Sequence, residues 1–313
     1  MRIEQLQAFL AVADTGSFQA AARQCQVTQS TISRQVQALE AELDAPLFHR
    51  GAQAKLTIAG ERLMPKARRM YQDWVQVSRE IADLMAGKQP ELCIAAIQSV
   101  CAHFLPPVLQ QFCQEYPNVQ LRVTSLGSDR SLKVLRDGLV DVAIVMHNPK
   151  LTTQPEMAIM PLYEEAVEVL MSADHPLTDH ATVPWEALAH YPQVVFKDGY
   201  GMQRLVQEQF QRCEGTLQAA MELNTLDAFR GVVRQGKFVA LLPKSALTEC
   251  RQDPTLAVRA TESPVLSRQV VLVTTHDRLS IPPIQRFYEM VRTLAAEFQG
   301  HPLIEAVPLV AIH

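Results

Sequence analysis

Seven apolar positions between residues 63 and 84 constrain this chain more than any other feature. Leu63, Ala67, Met70, Trp74, Val77, Ile81 and Leu84 follow one another at steps of four, three, four, three, four and three. A sustained period of 3.5 residues describes a helix with a narrow apolar seam, which a partner helix covers by winding around it left-handed. The alternative is a helix lying on the core of its own domain. No second long helix lies close in the sequence, so the seam reads as a contact with a second copy of the chain. The helix starts after Thr57, carries Pro65 in its early turns, where a missing N–H is tolerated at the cost of a bend, and ends at GKQPE.

Helical periodicity also governs the residues before it. In IEQLQAFLAVADTG, Ile3, Leu6, Phe9, Leu10 and Ala13 form one stripe, and Gly16 stops the helix. Ser17 can cap a short second helix that turns Phe18, Ala21 and Ala22 inward, where small residues allow close helix approach. Thr28 or Ser30 can cap a third, in which Ile32, Val36, Leu39 and Leu43 fall at spacings of four, three and four. Its other face exposes Gln29, Ser30, Thr31, Ser33, Arg34 and Gln37. Two short helices with a tight connection and a polar second member fit a helix-turn-helix, whose second helix enters the major groove of double-stranded DNA. Gln can pair with adenine, Arg with guanine, and Ser or Thr with bases or phosphate; the helix start from Thr28 offers free N–H groups to phosphate. LFHRGAQAKLT reads as a wing, with His49, Arg50, Gln53 and Lys55 along the DNA backbone or minor groove. A small helical domain with a solvated polar face is the competing reading. The formal charge of −4 gives no general attraction to nucleic acid, so local geometry must carry that function.

From residue 91 the character changes. ELCIAAIQSV, VQLRVTSL and VDVAIVM read as strands, alternating with helices in FLPPVLQQFCQEYP and SDRSLKVLRDG. That alternation implies a parallel sheet with crossover helices. A second cycle runs through EEAVEVLMS, PQVVFKD, LQAAMEL and KFVALLP, and QVVLVTTH with a final amphipathic helix closes the fold. Two α/β lobes are expected, joined by hinge strands near 162–166 and 264–270. Ligands of open α/β sheets bind beyond the carboxyl ends of strands. Here that selects Gln98, Ser99 and Val100; Gly127, Ser128 and Asp129; Met146 and His147; Phe196, Lys197, Asp198 and Gly199; and Asn224 and Thr225. Hydroxyls and helix starts favour an anion, a small carboxylate or oxyanion, with Lys197 able to add positive charge. His147 reads more simply as a satisfied strand-end histidine.

The run FLAVADTGSFQAAARQCQVTQSTISRQVQALEAELDAPLFHRGAQAKLTIAGERL resembles the DNA-binding half of LysR-type transcriptional regulators. LPPVLQQFCQEYPNVQLRV, LRDGLVDVAI and VALLP are similar to patterns in the family's second half. The resemblance spans essentially the whole chain. It implies a winged helix-turn-helix over 1–58, a dimerising linker helix over 59–87, and an effector domain of two-lobed, periplasmic-binding-protein-like α/β architecture from 91. Lobe I would comprise 91–163 and 267–300, and lobe II 164–266. It further implies a homodimer or homotetramer, a small-molecule effector facing Ser99, Ser128 and the 196–200 loop, and RNA polymerase as a possible contact. The segment FHRGAQAKLTIAGE is also similar to cyanobacterial regulators of nitrate assimilation within that family, which points toward nitrogen or carbon assimilation. Phe238 stands where many relatives have glycine and is expected to narrow the cleft.

An enzyme or a solute receptor on the same two-lobed fold is the rival class. Neither GxSxG, GxGxxG nor HExxH occurs, and the six cysteines form no CxxC pair, so no cofactor or metal is expected. The N-terminus lacks the layout of an export signal and no eighteen-residue apolar run exists, so the expected compartment is the cytoplasm.

Overall fold

Gly16 ends the first helix, α1 (Ile3–Thr15), because it adopts a φ of 66° that glycine reaches without strain, and its N–H donates to the Val12 carbonyl. A computed structural model of the chain describes residues 1–49, 53–89, 91–148 and 155–298, and divides it into two compact units, Met1–Leu84 and Met85–His313. In the first unit α2 (Phe18–Gln24) follows, capped by Ser17 Oγ, which accepts from the Ala20 N–H. Helix α3 (Gln29–Leu43) is capped by Thr28. Leu6, Phe9 and Val12 of α1, Ala21 and Ala22 of α2, and Ile32, Val36 and Leu39 of α3 form the core. The Phe9 and Phe18 rings close on Phe48 at 5.5 and 5.7 Å between centroids. Phe48 pairs antiparallel with Leu56, forming the base of the wing.

Helix α4 (Ile58–Met85) starts where Thr57 Oγ1 accepts from the Gly60 N–H at 3.1 Å. Gly60 is required here: a Cβ would strike the Leu47 carbonyl oxygen. Pro65 lies inside the helix and removes one N–H from its ladder.

The second unit begins with β1 (Glu91–Ala96), α5 (Gln98–His103), α6 (Pro106–Glu115), β2 (Gln120–Ser125), α7 (Ser128–Arg136) and β3 (Val142–Met146). Then come the long β4 (Met157–Ser172), the two-residue β5 (Thr182–Val183), α8 (Trp185–Ala189), β6 (Gln193–Phe196), α9 (Gly201–Arg212) and β7 (Ala219–Leu223). Helix α10 (Leu226–Val233), β8 (Val239–Pro243), β9 (Leu256–Thr261), β10 (Ser267–Thr275) and α11 (Pro282–Phe298) complete it. Strand order is β2-β1-β3-β10-β4 in the first lobe and β4-β8-β6-β7 in the second, so β4 belongs to both. Strands β1, β2 and β3 are mutually parallel, as are β6, β7 and β8, whereas β4 pairs antiparallel with β10, β8 and β9. Leu162 and Tyr163 pack in the core of the first lobe, and Val167 packs in that of the second.

The structure differs from the sequence reading in three respects. The first strand stops at Ala96, and Gln98, Ser99 and Val100 instead open α5, where the chain turns back over the sheet end. β4 starts at Met157, well before EEAVEVLMS; Pro161, which cannot donate to a ladder, sits where the pairing with β10 shifts register between Val270 and Val271. The short α8, β5 and β9 give no periodic signal over so few residues and went unread.

Candidate nucleic-acid interface and effector cleft

The start of α3 is a cluster of hydroxyls around one cap. Thr28 Oγ1 accepts from the Thr31 N–H at 3.2 Å and lies 2.9 Å from Ser30 Oγ and 2.8 Å from Thr31 Oγ1. Thr28, Gln29, Ser30, Arg34 and Gln37 are exposed, and Thr31 and Ser33 are half-buried. Ile32, Val36 and Leu39 thus face the core and leave a polar surface around the N-terminal turns of α3, whereas Leu43, in the last turn before the Asp44 cap, stays exposed. At the wing base the His49 N–H donates to the Lys55 carbonyl at 2.8 Å, and His49, Gln53 and Lys55 are exposed. Arg50 lies outside the described residues.

The seam on α4 divides into two parts. Ala67 is 0% exposed and Leu63 packs beside it, both in the core of the first unit. These two positions therefore serve their own domain, as the alternative reading of the helix had it. Met70, Trp74, Val77, Ile81 and Leu84 remain exposed, Trp74 at 54% and Ile81 at 56%. Over those fourteen steps the stripe runs about 21 Å along the helix. Soluble chains rarely leave so many large apolar side chains in a row to water.

In the second unit a small cavity of about 30 Å³ opens between the lobes. Gln98, Ser99, Ser128, Met146 and Phe196 line it, together with Ile97, Tyr200, Gly201, Met202, Leu226, Pro243 and Arg268, which sequence reasoning missed. That volume holds little more than a water molecule. The side chain of Met146 takes up the space beside Gly201, where a Cβ would collide with its terminal methyl group. Several contacts join the lobes around the cavity. Gln98 Oε1 accepts from the Leu226 N–H at 3.0 Å, at the start of α10. Arg204 grips Asp129 through two hydrogen bonds of 2.6 and 2.8 Å, and the Asp129 N–H donates to the Gly199 carbonyl at 3.3 Å. Within the first lobe, Ser128 Oγ accepts from the Met146 N–H at 3.3 Å.

Nine residues selected from the sequence do not reach the cavity wall, Gly127 and the Arg204-bound Asp129 among them. Val100 is fully buried in the first lobe's core because α5 turns it inward. His147 donates its N–H to the Gln269 carbonyl, and burial holds its imidazole below the ordinary value. Lys197 and Asp198 are exposed, with the Lys197 N–H donating to the Leu223 carbonyl and Asp198 Oδ1 accepting from the Gly199 N–H. Gly199, Asn224 and Thr225 are not on the wall either; the residues that follow them, Tyr200 and Leu226, are. Positive charge at the wall comes from Arg268, where Lys197 was expected. Phe238 packs against the second lobe's core and lies off the wall, so it narrows nothing.

Two family models match the chain in series. Residues 3–61 match the bacterial regulatory helix-turn-helix protein of the lysR family, and residues 86–296 match the LysR substrate binding domain. The chain belongs to the LysR family. It is 54% identical over 297 residues to the probable nitrogen assimilation transcriptional activator of Synechocystis, covering 93% of this chain and 96% of that one. It is 53% identical over 292 residues to the protein of the same description in Synechococcus elongatus, covering 93% and 94%. Among solved structures, HinK, a LysR family regulator from Pseudomonas aeruginosa, superposes with a TM-score of 0.71 at 21% identity, covering 95% of this chain and 99% of that one, which shows the shared fold. This LysR-type chain is accordingly a DNA-binding transcriptional regulator with an effector-binding domain, and not an enzyme. No helix among the described residues is long and apolar enough to cross a membrane.

Proposed function

We propose that two copies of this regulator pair through the exposed stripe of α4 and place the starts of their α3 helices in successive major grooves. The half-sites would then lie one helical turn apart, about 34 Å. In this reading residues 1–58 read DNA, 59–87 join the copies, and the part from 91 holds a small anionic effector, a carboxylate or an inorganic oxyanion. Binding of the effector favours one arrangement of the dimers, which it can do only by binding that arrangement more tightly. The observation that carries the proposal is the division of α3 into a buried apolar face and a polar face grouped around the Thr28 cap. The pathway rests on the cyanobacterial relatives, both named as activators of nitrogen assimilation. We accordingly assign the chain to activation of such genes in the cytoplasm, in contact with RNA polymerase and assembled as a dimer or tetramer. Footprinting on promoter fragments of nitrogen-assimilation genes tests this. The expected result is protection of two half-sites on one face of the duplex, altered by an effector anion. Protection of a single half-site would overturn the paired reading.

A further inference from the structure

We propose that Arg268 is the charge partner of the effector, and that Glu165 positions it at the junction of the lobes; this rests on the cleft being the effector site. Arg268 is the single charged side chain among those lining the cavity, and it is only 5% exposed. It enters from β10 directly opposite Glu165 of β4. Its Nε and Nη2 donate to Glu165 Oε1 at 3.0 and 2.7 Å, and Nη2 also donates to Ser99 Oγ at 2.6 Å. Glu165 in turn accepts from the Ser245 N–H at 2.8 Å and from its hydroxyl at 3.2 Å. The pair therefore ties Ser99 of the first lobe to Ser245 of the second. Nη1 makes no hydrogen bond to any described residue. Ser99 accepts from Arg268, so its own O–H proton is free to be donated.

A buried ion pair is a poor way to gain stability, since apolar side chains of similar size serve as well or better. Its presence on a cavity wall is accounted for by a ligand. Nη1 and the Ser99 hydroxyl together form a two-point donor set matched to a planar group with two acceptor oxygens, which arginine recognises better than lysine. The N-terminal residues of α7, α9 and α10, namely Ser128, Gly201 with Met202, and Leu226, reach the same cavity and add positive potential. Glu165 already balances the guanidinium, so the net attraction comes from the helix starts, and the wall suits at most one added negative charge. The small volume and the adjustable Met146 side chain limit the occupant to a few heavy atoms. The geometry points to a small planar monoanion.

The test uses the full-length protein and thermal shift with sodium formate, acetate, nitrite and nitrate against sodium chloride at equal ionic strength, with acetamide as the uncharged control. Wild type should be stabilised by at least one of the four anions and not by acetamide. Replacing both members of the pair, Arg268→Met with Glu165→Met, avoids leaving a buried carboxylate alone. This double variant leaves the Ser245 N–H without its acceptor, so it should melt cooperatively but below wild type without anion, and lose the anion-induced shift. A second variant, Arg268→Lys, keeps the charge but not the planar fork, and should bind the same anion about tenfold more weakly. An undiminished response in either variant overturns the assignment of Arg268 and leaves the cleft as the effector site. A wild type that ignores all four anions, or responds equally to acetamide, overturns both.

Discussion

Thr28 and Arg34 belong to the same exposed face of α3 but act on different quantities. Thr28 satisfies a backbone N–H at the helix start, so Thr28→Ala should cost about 1 kcal/mol of stability, read from urea unfolding, as well as weakening DNA binding. Arg34 is exposed and caps nothing; Arg34→Ala should leave stability within about 0.5 kcal/mol of wild type. If it reads a base, the same change should weaken specific DNA binding by about 1–3 kcal/mol in a salt titration, and unchanged affinity would remove it from the interface. His175 supplies a pH test. It is buried, its Nδ1 accepts from the Leu177 N–H at 3.2 Å, and its ring rests 4.6 Å from Tyr191. Burial holds the imidazole below its ordinary value, and the neighbouring Asp174 offsets this only in part. The unfolded chain thus takes up a proton more readily than the folded one. Stability from this group is present above the ordinary imidazole value and is lost as the pH falls past it. The urea midpoint should drop between about pH 7.5 and about pH 5.5, and His175→Asn should flatten that dependence.

Helix α4 shows what an element reveals locally and what it does not. Its 3.5-residue period is written in consecutive residues, so the helix and its length were legible. That Leu63 and Ala67 turn toward their own domain was not, because it depends on where Leu47 and Phe48 come to lie after folding. The same limit explains the other differences. Gln98 and Ser99 extend an apolar strand on paper, yet the backbone turns into α5 before them. Pro161 breaks a strand pattern that the β10 register shift accommodates in space. The five exposed positions on α4 carry their own prediction. If the stripe joins two copies as proposed, Trp74→Glu with Ile81→Glu should lower the assembly state in sedimentation velocity while the circular dichroism stays native. A variant that sediments as wild type would place the contact elsewhere.

At the level of the whole molecule, the candidate site joins residues that no local pattern connects. Ser99 and Arg268 are 169 positions apart in sequence, and Gln98 and Leu226 are 128 apart. The strand-end rule found the cavity wall contributed by β1, β2, β3 and β6, since the ends of parallel strands are predictable from their order. It missed Arg268, which arrives on an antiparallel strand returning from the other lobe. Gly201→Ala probes this assembled space. The added methyl meets the tip of the Met146 side chain, which is flexible enough to move, so stability should change by about 1 kcal/mol or less. The displaced thioether should occupy the cavity and abolish the anion-induced thermal shift, with DNA binding in the absence of anion retained. A normal shift would show that Met146 has another exit.

Strand β4 runs unbroken for 16 residues through both sheets, paired with β10 on one side of the crossing and with β8 and β9 on the other. A hinge made of slack loop would let the lobes swing widely; a hydrogen-bonded ribbon does not. Rotation of one lobe has to be taken up as torsion over the few peptide units around Glu164–Ala166. A ribbon of this kind favours a small twist with a restoring force, so under the proposed function an effector would act through a change in angle.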